Sequence, residues 1–67
     1  MCRSIKQLRG SDPAPTEAEI QAAALQFVRK ISGYRVPSAA NQQAFESAVA
    51  DIARTTRFLL DSLVLRS

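Results

Sequence analysis

The chain has no histidine and only one cysteine. A single thiol excludes an internal disulfide, and one cysteine without histidine argues against a zinc site within one subunit. Long hydrophobic runs are missing too. Arg57 and Asp61 interrupt the one strongly apolar stretch, which falls far short of the roughly 20 residues that span a bilayer. No signal-like hydrophobic region is present, and with the lone thiol this leads us to expect a protein of the reducing cytoplasm. Glycine and proline are sparse, two and three residues, and none lies beyond Pro37. From that point on, no residue forces a break in a helix.

The stretch after Pro37 is the most regular in the chain. Phe45, Val49, Ile52, Thr56, Leu59 and Leu63 recur at steps of four and three, a spacing that makes one stripe on a helix and no coherent face on a strand. Ala48 and Leu60 widen the stripe. Ser38 is placed to act as N-cap, with Pro37 preventing an earlier start. The spacing predicts a long helix over about 39–65, about 27 residues and roughly 40 Å in length.

The first half predicts a shorter helix over about 17–31. Thr16 followed three residues later by Glu19 reads as a reciprocal capping box, and Glu17 adds negative charge where the helix dipole favours it. Ile20, Ala24, Phe27, Val28 and Ile31 form its apolar stripe. Gly33 is the expected left-handed C-terminal cap, with Tyr34 folding back toward Val28 and with Arg29 and Lys30 in the last turn. The short connection from Gly33 to Pro37 predicts an antiparallel pair. Residues 1–15 read as a basic arm and linker, anchored by Ile5 and Leu8, and the turn residues of Gly10 to Pro15 bar a continuing helix. The expected architecture is therefore an all-α antiparallel helical hairpin over 16–67 within a single domain of 1–67.

A chain of about 60 residues buries only roughly 60% of its unfolded surface and is marginal alone. Without a disulfide or metal, association is the remedy left. The long helix is expected to outrun its partner by about 15 Å, exposing an apolar end that needs a cover. Two covers are available: the arm, or a second copy of the chain in a four-helix bundle. Phe58, Leu60, Val64 and Leu65 are the candidate interface of a homodimer.

Chemistry-bearing residues are few. Removal of Met1 would make Cys2 an N-terminal aminothiol, its thiolate favoured by the ammonium and by Arg3 and able to act as nucleophile or metal ligand. No histidine is present to serve as its base, which favours an inert anchoring role. A net charge of +3 makes Arg3, Lys6, Arg9, Arg29, Lys30 and Arg35 candidate anion contacts. Tyr34 is the single aromatic among the turn cations and no nucleic-acid motif is recognisable, so solvated charge is the simpler reading than nucleic-acid binding. The carboxylates Glu17, Glu19, Glu46, Asp51 and Asp61 are too dispersed for paired acid and base work. No cofactor site is expected.

Met1-Cys2-Arg3 with Ile5, the run Ala22 to Lys30, Ser32-Gly33, Pro37-Ser38 with Asn41, Ala44-Phe45 and Leu59-Leu60-Asp61 resemble a family of short bacterial proteins classified as domain of unknown function 2277. The resemblance covers nearly the whole chain and keeps the spacing between these blocks. It implies a bacterial, cytoplasmic protein of one domain. It implies no activity and carries over no catalytic or binding residue. The expectation for function is a non-enzymatic interaction or structural module that self-associates through its long helix; the alternatives are a thiol or metal protein using Cys2 and a weak nucleic-acid binder.

Overall fold

The structure, a computed structural model, describes residues 7–10 and 14–63. Two helices make the fold: α1 over Glu17–Ser32 and α2 over Gln42–Ser62, the second entered through one 3₁₀ turn at Ala39–Asn41. They pack against each other as an all-α hairpin.

α1 begins and ends as its sequence requires. The Glu19 amide donates to Thr16 Oγ1 at 3.1 Å while the Thr16 amide donates to Glu19 Oε1 at 2.9 Å, so two amides left over at the helix start are satisfied reciprocally. At the other end Gly33 takes φ 77° and its N–H donates to the Arg29 carbonyl at 2.9 Å. A residue with a Cβ is strained in that conformation.

The entry to α2 departs from expectation. Ser38 does not cap a helix amide: its hydroxyl accepts from the side-chain amide of Asn41 at 3.0 Å, and its carbonyl accepts from the Asn41 N–H at 3.0 Å. The polar side chain three residues on competes for the hydroxyl, and the tighter turn results. The same Asn41 amide reaches the Tyr34 hydroxyl at 3.4 Å, tying the connection to the helix entry. α2 also stops earlier than the expected 39–65, because Leu63 has the extended φ −70° and ψ 138°. With 21 residues against 16, α2 outruns α1 by about 8 Å.

Ile20, Ala24 and Val28 of α1, Phe45 and Ala53 of α2 and Leu8 of the arm are buried, and of these Ile20 is the largest side chain fully enclosed. Val49, Ile52 and Leu60 pack half-buried against the cluster of Leu8, Ile20, Ala24 and Ala53. The arm anchor at Leu8 is as expected; Ile5 lies outside the described residues. Phe27 and Ile31, expected in the core, are 43% and 65% exposed. Ile20, Ala24 and Val28 follow one line at steps of four, which leaves Phe27 rotated to its flank. Ile31 lies a turn past Val28, the last buried residue of α1.

The apolar stripe of α2 divides in the same way. The expected stripe ran on through Leu59 and Leu63, yet these are 52% and 39% exposed. The line that faces α1 turns instead through Ala53 to Leu60. No described helix is long and apolar enough to cross a membrane.

Candidate interaction surface

One side of the hairpin carries an apolar groove of about 320 Å³, bounded by Ala23 and Phe27 of α1, Ile52, Thr56 and Leu60 of α2, and Leu8 of the arm. Among the described lining residues the one side-chain hydroxyl is already engaged: Thr56 Oγ1 donates to the Ile52 carbonyl at 2.6 Å. Leu59 and Leu63 lie on the same side of α2 as Ile52 and Thr56, because steps of four, three and four from Ile52 return to one face. The opposite flank of the hairpin differs in kind, since the hollow there is bordered by Arg29, Arg35 and Glu46 beside Leu25 and Phe45.

Of the four candidate interface residues, the structure describes Phe58 and Leu60 and places them differently. Leu60 packs into the core beneath Leu8. Phe58 is 72% exposed, and its neighbours at three and four residues are Arg54, Thr55, Asp61 and Ser62, so it is one apolar side chain on a polar surface. Val64 and Leu65 lie outside the described residues. Of the two covers for the open end, the arm supplies at least Leu8.

Among the described candidate anion contacts, Arg9 lies apart from Arg29 and Arg35. Arg9 sits with Gly10 beside Arg57 and Asp61 at the open end, whereas Arg29 and Arg35 border a hollow at the turn end with Gly33 and Tyr34. Arg29 is committed locally, its Nε donating to the Arg35 carbonyl at 3.1 Å. Lys30 is exposed in the last turn of α1. Cys2, Arg3 and Lys6 lie outside the described residues.

Acidic residues are spread along the hairpin and engaged in local pairs. Gln42 donates to Glu46 at 3.1 Å, and Arg54 pairs with Asp51. Arg57 contacts Glu17 at 3.2 Å and Asp61 at 3.8 Å. The Glu17 carboxyl is held below its ordinary 4.5 by the hydrogen bond from Gln21 and then by that from Arg57. Among the described residues no group of three or more histidine, cysteine, aspartate or glutamate side chains is placed to hold a metal ion.

Sequence reasoning missed Ala53, which is almost wholly buried. The available signal was its spacing of eight from Phe45 and seven from Leu60, but an alanine adds little to a hydrophobic pattern.

Geometry of this kind belongs to small helical-hairpin proteins whose two helices enclose a thin core and leave one flank apolar. The chain is a member of the family described as Uncharacterized conserved protein (DUF2277), which it matches over residues 1–67. No curated protein and no solved structure matches it.

Proposed function

We propose that this protein is a non-enzymatic interaction module, a single folded unit of the cytoplasm that self-associates through its long helix. The observation that carries this reading is the imbalance in its core. Phe27, Ile31, Phe58, Leu59 and Leu63 are exposed, while Ile20 is the largest side chain fully enclosed. Burial of apolar surface is the main favourable term in folding, and a domain this small has little of it to spare. A second chain laid along the hairpin removes more of that surface from water without any new element.

The groove is lined by side chains suited to packing rather than to proton transfer or to holding a charged ligand. This supports binding over catalysis. The lone thiol accords with a reducing compartment.

Light scattering coupled to size exclusion on the untagged full chain tests the reading. The expected result is a mass twice the 7.3 kDa of one chain at micromolar concentration. A mass of one chain at every concentration up to the millimolar range would refute self-association.

A further inference from the structure

The flank of the hairpin opposite the apolar groove carries a hollow of about 370 Å³, a volume within the range of small-ligand sites. Its walls are of two kinds. Leu25, Val36, Pro37, Phe45 and Val49 supply apolar surface, while Arg29, Arg35 and Glu46 supply charge. Val36 is 74% exposed, so the turn leaves a branched apolar side chain in water beside two cations.

These two arginines differ from the pair on the outer face of α2 in what they meet. Arg54 pairs with Asp51, and Arg57 with Glu17 and Asp61, whereas among the described residues neither Arg29 nor Arg35 forms an ion pair. Glu46 borders the same hollow but accepts from Gln42 at 3.1 Å instead. The α1 dipole accounts for a cation at Arg29, in the last turn, but not for Arg35, which lies past the helix end at Ser32. The half-buried Arg29 is held against the turn by its Nε bond to the Arg35 carbonyl at 3.1 Å, and this leaves the donors of its Nη groups unused. Both arginines also border the adjoining hollow with Gln26 and Tyr34, so they form the rim between the two.

We infer that this hollow binds a small monocarboxylate with an apolar tail, its carboxylate on Arg29 and Arg35 and its tail along Leu25, Val36 and Phe45. Guanidinium groups recognise a carboxylate through parallel N–H donors. The tail removes apolar surface from water, that of Val36 above all. Two guanidinium groups set against the single carboxylate of Glu46 leave one positive charge to balance, which selects a monoanion; the second charge of a dianion would face Glu46. The inference goes beyond the self-association proposed above and does not depend on it.

NMR titration of the isotope-labelled full chain with octanoate tests the site, with octanol and acetate supplying the tail and the head separately. The expected result is a saturable shift of the Arg29, Arg35, Val36 and Val49 amides, half complete at about 1 mM octanoate, as suits a ligand of this size. Octanol and acetate should each bind about tenfold more weakly. Arg35 is exposed and its side chain makes no hydrogen bond among the described residues, so Arg35→Gln leaves the fold intact; it should weaken octanoate about fivefold or more and leave octanol unchanged. Equal binding of octanoate and octanol, or an octanoate affinity unmoved by Arg35→Gln, would overturn the charged site. Shifts centred on Leu8, Phe27 and Thr56 would place the ligand in the other groove and overturn it as well, as would the absence of any saturable shift. Each of these results leaves self-association standing, since that is read from the mass of the free protein.

Discussion

Arg57 of α2 donates to the carboxylate of Glu17, the first residue of α1, across 3.2 Å and forty positions of sequence. The contact joins the open ends of the two helices, as their antiparallel packing requires. It also places a cation against the carboxylate that Gln21 already contacts at 3.2 Å. Both hydrogen bonds favour the ionised form and lower the Glu17 pKa below 4.5.

The sign of the resulting pH dependence follows from that depression. A carboxyl whose folded pKa is lowered contributes stability that is present above its unfolded value and lost as pH falls through the folded one. Glu17→Gln is expected to lower the melting temperature slightly at pH 7 and to converge on wild type as pH falls below 4.5, which flattens the acid limb. Carboxyl titration by NMR checks the causes: Gln21→Ala and Arg57→Ala should each raise the Glu17 pKa. Glu17 is exposed, so salt should reduce the effect of the ion pair.

Thr16→Ala removes the acceptor of the capping box and is expected to cost about 1 kcal/mol. For a domain of this size that is a fall of about 4–8 °C in melting temperature. Thr16→Ser, which keeps the oxygen, should remain near wild type. Thermal unfolding followed by circular dichroism reads both.

Gly33→Ala tests the other end of α1. A Cβ at this position meets nothing within 4 Å, so the penalty is conformational and is expected at about 1–2 kcal/mol. Gly33→Asn should recover part of it, since asparagine tolerates the left-handed region better than alanine. Urea unfolding of the three proteins gives the comparison.

Leu8→Ala removes the buried anchor of the arm and the cover of Leu60. The expected loss is about 2–3 kcal/mol, typical of a truncated core leucine. Hydrogen exchange should rise across the last two turns of α2 more than across its first two. Uniform exchange along α2 would mean that the arm does not close that end.

The signals that were local proved readable from sequence. Thr16, Glu19 and Gly33 act through the backbone within a turn of themselves, so their residue types define their conformations. Ser38 shows the limit of such reasoning, because Asn41 competes for the same hydroxyl and only the folded connection decides between them. The course of the α2 stripe was legible as far as Ile52. Beyond it, Leu59 and Leu63 continue a step pattern averaging 3.5 residues, whereas the contact with α1 turns through Ala53 and Leu60, and two small residues, Ala24 and Ala53, meet in that core. Sequence spacing marks both lines as apolar; the position of α1 determines which of them is buried. Likewise, Phe58 and Leu59 are adjacent hydrophobic residues in the sequence, and only the hairpin puts one among charges and the other beside a groove.

The central claim is that the core of one chain is thin and is completed by a second. Melting temperature against protein concentration tests it most directly, because association stabilises the folded state by mass action. Across a 100-fold range, from micromolar upward, the account predicts a midpoint that rises by several degrees with each chain folding and dissociating together. A midpoint independent of concentration over that range would contradict it.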